Sequence, residues 1–307
     1  MNRIDRRGLL QAGLALGAAP ALARAAQDPP APAQERPFDS AAEDLRGIGK
    51  TPHTKFAVNV EMWWSNLPFL ERVKKAAALG FPGIEFWDWR SKDLDALAKL
   101  TSELGLAVTQ FTGWGFEPGL CNAKHHDEFE AAIRAALEVS KKLGNQHLCV
   151  VAGNLQPGRT LAEMHADVIT GLKRVAPLAE QAGVTLMLEP MNGRVDHPGH
   201  CLYGSADALA IVRAVGSPKV KILWDLYHMQ ISEGDLCGHL REGYDEITYL
   251  QIADHPGRHE PGTGEIHYAR VLREAHELGF RGWVGLECSP KGDPLDAARA
   301  VAQADRW

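Results

Sequence analysis

The chain has 307 residues, 45% of them hydrophobic and 23% charged, with a formal net charge of −6. That is enough apolar content for one large buried core, or two smaller ones if a linker divides the chain, and the acidic balance argues against nucleic acid as a partner. The five cysteines form no CxxC pair and their odd number leaves one unpaired, so a disulfide framework is excluded as the organising principle.

The N-terminus reads MNRIDRRGLLQAGLALGAAPALARAAQ, with Arg6-Arg7 ahead of an apolar stretch from Gly8 to Ala23 and small residues at Ala23 and Ala25. Residues 1–25 thus resemble a twin-arginine export signal, and the expected destination is periplasmic or otherwise exported. A membrane anchor is disfavoured, because the run falls short of the ~20 apolar residues a spanning helix needs and is rich in Ala and Gly. No stable membrane span is expected once the signal is cleaved. Without residues 1–25 the balance is 29 basic against 38 acidic side chains. Residues 26–54 lack apolar periodicity and are rich in Pro, Ala and charge, which predicts a flexible linker.

From residue 55 to 307 short apolar runs alternate with helical patterns. FAVNVEM (56–62), GIEFW (83–87), AVTQFT (107–112) and HLCVVAG (147–153) are each followed by amphipathic stretches. TLMLEP (185–190), VKILWDL (220–226), ITYLQIAD (247–254) and WVGLEC (283–288) continue the series, the sixth with a short helix near 235–243. Gly80, Gly105, Gly144, Gly183 and Gly279 stand where helices should terminate. Eight β–α repeats in this length predict a single-domain α/β fold, a closed (β/α)8 TIM barrel, and no GxGxxG follows the first strand to favour an open dinucleotide-binding sheet.

Such a barrel carries its chemistry at the C-terminal ends of its strands. Strands five to eight end in Glu189, Asp225, Gln251 and Glu287, spaced 36, 26 and 36 residues apart, one β–α unit each. Any one of these could simply cap the next helix. Three carboxylates in one half-buried mouth repel one another unless a cation neutralises them, and an all-oxygen donor set favours Mg²⁺ or Mn²⁺ over Zn²⁺.

The stretches LEPMN, WDLYHMQ, LQIADHPGRHEPGTGEIHY and GWVGLE resemble the hydroxypyruvate isomerase family, within the xylose isomerase-like sugar isomerases and epimerases, over about residues 55–290. The resemblance implies a divalent metal on Glu189, Asp225, Gln251 and Glu287, with Glu189 and Glu287 also acting as acid/base groups. It implies an isomerase that moves a carbonyl between adjacent carbons, hydroxypyruvate to tartronate semialdehyde being the first expectation. His228, expected in a loop above the metal, and Arg258, whose planar fork suits a carboxylate, are the candidate substrate-binding residues. The partner is then a small hydroxy-keto acid or a sugar, and self-association into a homo-oligomer is left open. Epimerisation of a larger ketose or keto-sugar on the same site is the alternative, which the export signal favours; a sugar-binding barrel without catalysis is a further one.

Other residues carry weaker expectations. Glu85 on the second strand either reaches the mouth or meets a lysine or arginine inside the barrel. Trp63, Trp64, Trp87, Trp89 and Trp114 either wall the pocket or pack against loops. Asn192 and Asp196 line the site, whereas His125, His126, His197 and His200 read as loop histidines.

Overall fold

The computed structural model describes residues 47–307. The signal expected at residues 1–25 and the linker as far as residue 46 lie outside the described residues. Eight parallel strands, β1 (Lys55–Asn59), β2 (Gly83–Phe86), β3 (Ala107–Trp114), β4 (His147–Val151), β5 (Thr185–Glu189), β6 (Val220–Asp225), β7 (Ile247–Gln251) and β8 (Trp283–Leu286), pair in sequence order. β1 pairs with β8, closing the barrel and bearing out the predicted architecture.

Around it lie α1 (Phe69–Ala78), α2 (Leu94–Leu104), α3 (His126–Leu143), α4 (Leu161–Ala182), α5 (Ser205–Val215), α6 (Leu226–Ser232), α7 (Leu236–Gly243), α8 (Tyr268–Glu277) and α9 (Pro294–Ala304). All five helix-end glycines take positive φ, where a Cβ would be strained. Among the described residues no helix is long and apolar enough to cross a membrane.

Where a loop was expected after β6, the chain turns at once into α6. Asp225 is its N-cap, accepting from Tyr227 N at 2.8 Å, so His228 sits in the first helical turn. The interval between β6 and α7 is too short for a periodic signal, and a capping aspartate at a strand end reads equally well as a site acid.

Side chains alternate inward and outward along each strand, which decides what fills the interior. Outward-facing Leu186, Leu188, Ile222, Trp224 and Leu250 join the large core shared with the helices. Inward-facing Cys149, Val151, Met187, Leu223 and Tyr249 form a second cluster inside the barrel. Glu189, Asp225 and Gln251 each lie two residues beyond Met187, Leu223 and Tyr249 on the same inward face.

Residues 47–54, read from sequence as the end of the linker, are pinned to the barrel. Gly49 N donates to Leu79 O at 2.8 Å, and His53 N and Thr54 N donate to buried Asp305 Oδ2 at 2.8 and 3.1 Å. At the opposite end, the segment after β7 folds around fully buried Asp254. Its carboxylate accepts from His255 N, Gly262 N and Ile266 N at 3.0, 2.8 and 3.0 Å, and this holds out the turn carrying Arg258. Gly264 is required there, because a Cβ would come within 2.1 Å of His255 O.

Candidate active site

The four strand-end residues are all buried and converge at the barrel mouth. One ligating atom from each of Glu189, Asp225, His228 and Glu287 can be chosen such that all lie within 4.8 Å of one another. Asp225 caps α6 with Oδ1 and leaves Oδ2 facing the mouth. Glu287, one residue past β8, accepts from Trp87 Nε1 at 2.8 Å on Oε1 and from Arg258 Nη2 at 2.5 Å on Oε2. Glu189 Oε2 meets only the Cys149 thiol, at 3.3 Å, and Glu189 Oε1 has no hydrogen-bond partner. Gln251 donates its amide Nε2 to Glu85 Oε1 at 2.9 Å, and its Oε1 is likewise buried without a partner.

The orientation of His228 follows from its neighbours. Val195 N and Asp196 N donate to Asn192 Oδ1 at 3.0 and 3.2 Å, which fixes that amide. Its Nδ2 must then face Asp196 Oδ2 at 2.8 Å and His228 Nδ1 at 2.6 Å. His228 Nδ1 is therefore an acceptor, and the ring carries its proton on Nε2. Burial, and secondly the charge of Arg258, hold its pKa well below the ordinary range, so the ring is neutral. Nε2–H points toward Asp225 Oδ2 at 3.6 Å and Glu189 Oε1 at 3.8 Å, so it offers a donor where a metal ligand would need a lone pair. Arg258 Nη2 approaches the same Nε2 to 3.3 Å; both groups being donors, we assign each to the carboxylates.

The mouth is short of positive charge. Burial, and then the charges of Glu287 and Asp225, push the Glu189 carboxyl well above the carboxylate range, and Asp225 is pushed up to about 7, chiefly by burial. Burial also disfavours the Arg258 charge, but Glu287 and Asp225 outweigh it and hold that pKa up. One guanidinium shared by two carboxylates, beside two orphaned acceptor oxygens, leaves a deficit that a divalent cation would fill. Two Glu, one Asp and an amide oxygen make a hard donor shell, so these residues fit Mg²⁺ or Mn²⁺.

Arg258 stands at φ +56 and leans over the Tyr227 ring, 5.0 Å from its centroid, as well as toward the acids. Of the five tryptophans only Trp87 bonds the acid cluster, whereas Trp63 and Trp114 belong to the core and Trp64 and Trp89 pack against it. Glu85 meets neither lysine nor arginine: its hydrogen-bond partners are all neutral donors, Gln251 and three unforeseen as its neighbours, Gln110 and the more legible Asn59 and Tyr249. Both were findable, since Asn59 ends β1 as the acids end their strands and Tyr249 shares the face of Gln251. His197 is drawn closer than a loop reading implies, its ring 5.2 Å from that of His228 and stacked on Phe116 at 4.9 Å. His125 and His126 lie at the start of α3, bonded to Glu128 and to Leu120 O.

Fold and site together define a (β/α)8 barrel with a buried cluster of acids at its mouth. A family profile described as xylose isomerase-like TIM barrel matches residues 73–305, and the chain belongs to that family. It is 33% identical over 243 residues to the hydroxypyruvate isomerase of Escherichia coli K12, covering 77% of this chain and 94% of that one. With the 2-oxo-tetronate isomerase of Cupriavidus necator the identity is 34% over 244 residues, with 77% and 93% covered. Among solved structures, a protein described as AP endonuclease, family 2, from Brucella melitensis superposes with a TM-score of 0.76 at 29% identity, covering 80% of this chain and 96% of that one.

Proposed function

We propose that the chain is a divalent-cation-dependent isomerase of short hydroxy-keto acids, interconverting hydroxypyruvate and tartronate semialdehyde through an enediolate. The observation that carries this reading is the meeting of three buried carboxylates with two orphaned acceptor oxygens, a neutral His228 donor and Arg258 at one barrel mouth. Glu189, Asp225, Gln251 and Glu287 would hold Mg²⁺ or Mn²⁺. Bound there, the cation supplies the positive charge that stabilises the developing enediolate.

The chain's own groups divide the remaining work. Glu189 would keep one oxygen for the cation, whose charge favours the ionised carboxylate, and use the other to take a proton from C3 and, after exchange with solvent, deliver one to C2. Glu287 has both oxygens engaged and serves to anchor and to shuttle the hydroxyl proton. His228 Nε2–H donates to a substrate oxygen. The Arg258 fork, now shared by Glu287 and Asp225, pairs with the substrate carboxylate once those acids are otherwise engaged. A guanidinium in the mouth favours an acid over a neutral ketose, which is what separates this reading from epimerisation of a larger sugar. A binding barrel would have no use for a free, raised-pKa carboxylate beside the bound carbonyl.

Substrate profiling tests the choice. Native protein with Mn²⁺ should turn over hydroxypyruvate and other short 2-keto acids faster than neutral ketoses, and Arg258→Gln should raise KM for the acids by roughly 100-fold, the size of a lost charge-assisted pair. A preference for neutral ketoses, unchanged in Arg258→Gln, would move the assignment to the epimerase. Export belongs to the same proposal: a reporter carrying residues 1–54 should leave the cytoplasm, and Arg6→Lys with Arg7→Lys should retain it.

A further inference from the structure

Beneath the carboxylate ring lies one more acid, which no step above uses. Glu85, on β2, is fully buried inside the barrel. Its Oε1 accepts from Gln251 Nε2 at 2.9 Å and Asn59 Nδ2 at 3.1 Å, and its Oε2 from Tyr249 OH at 2.7 Å and Gln110 Nε2 at 3.2 Å. Four neutral donors saturate both oxygens. β8 keeps space for the carboxylate: Gly285 is in register with Gln251, and a Cβ there would lie 2.2 Å from Glu85 Oε2.

A glutamine amide is nearly symmetric in shape, so the chemistry of its neighbours decides which end points where. A flipped Gln251 would set its carbonyl oxygen against a buried carboxylate oxygen and strand its Nε2 among the acids above. We propose that Glu85 is a positioning residue: by accepting from Gln251 Nε2 it selects the rotamer that presents Gln251 Oε1, and not the amide nitrogen, to the cation. The inference rests on the cation reading above and assigns the glutamine at this position an obligate partner on a strand that supplies no ligand itself. Replacing the carboxylate with an apolar side chain removes the acceptor that Gln251 Nε2 needs and leaves the ligand free to turn, whereas an amide at position 85 could still turn its oxygen to Gln251 and its nitrogen to the Tyr249 hydroxyl.

The test is Mn²⁺ titration followed by electron paramagnetic resonance, with folding checked by circular dichroism and thermal melting. Glu85→Leu should weaken Mn²⁺ binding by roughly 10- to 100-fold and alter the bound-ion spectrum, the usual cost of losing a ligand's outer partner. Tyr249→Phe removes a donor from the oxygen that Gln251 does not touch and should stay close to native affinity. In a Gln251→Leu background Glu85→Leu should cause no further loss, because Glu85 acts through Gln251. Should Glu85→Leu fail to fold, Gly285→Ala displaces the carboxylate while leaving its charge and all four donor side chains in the chain, and the same weakening is expected. Native affinity and spectrum in the folded Glu85→Leu or Gly285→Ala protein, or an equal loss in the Gln251→Leu background, overturns the inference. Failure of the native chain to take up Mn²⁺ overturns the cation reading and this inference with it.

Discussion

Glu189 is the side chain whose surroundings make least sense without its proposed chemistry. It is a buried carboxylate whose one hydrogen-bond partner among the described residues is a thiol. Glu189→Gln should therefore stabilise the cation-free protein by about 1–3 kcal/mol at neutral pH, by removing a carboxyl whose ionisation burial and the neighbouring acids oppose in the folded state, while abolishing activity. Thermal melts in chelator, beside turnover assays, read both; a destabilised variant would mean that the carboxylate has a structural partner. His228 and Asn192 allow an equally sharp separation. His228→Asn should leave Mn²⁺ affinity near native yet lower kcat/KM by roughly 100-fold, whereas a metal ligand would lose both. Asn192→Leu frees His228 Nδ1 to take the proton and should lower kcat/KM in the same direction. At this scale the sequence was legible where a polar residue closes an apolar run, as at Glu189, Asp225 and Gln251. It was illegible where the decisive fact is a neighbour from another strand: nothing near Glu85 in the chain announces Tyr249 or Gln251, and only barrel closure brings them together.

The elements follow from the same physics, with the exceptions at their ends. Strand positions were readable because buried parallel strands form uninterrupted apolar runs, and helix ends because glycine at positive φ stops them. α6 was not, since seven residues hold too few turns to show a period. Where the linker gives way to the barrel was also hidden, because backbone amides form the pins at residues 53 and 54 and leave no mark on composition. Asp305, beyond the end of α9, accepts from His53 N, Thr54 N and Thr54 Oγ1, tying the last helix to the entry of β1. Asp305→Ala should cost about 2–4 kcal/mol in denaturant unfolding, as three bonds to a buried carboxylate are lost. Thr160, by contrast, closes a capping box with Glu163 at the exposed start of α4, and Thr160→Ala should cost about 1 kcal/mol. Equal costs at the two sites would contradict the importance given to burial.

For the molecule as a whole, the barrel turns separation in sequence into proximity: three acids and an amide, spaced 36, 26 and 36 residues apart, share one mouth because each β–α unit returns the chain to the same rim. A cation that binds this rim only in the folded state must stabilise the entire barrel. At a concentration 100 times its dissociation constant the gain is about 2.7 kcal/mol, readable as a rise in melting temperature that chelator removes. Proton NMR of hydroxypyruvate in D₂O with the native chain and Mn²⁺ shows whether this rim shifts the carbonyl with Glu189 exchanging its proton with solvent between the two carbons. Tartronate semialdehyde deuterated at C2 should form only with the cation, and its formation should be lost in Glu189→Gln and restored by no added metal. Binding of Mn²⁺ with neither product nor deuterium exchange, for hydroxypyruvate and for the longer 2-keto acids alike, would contradict it.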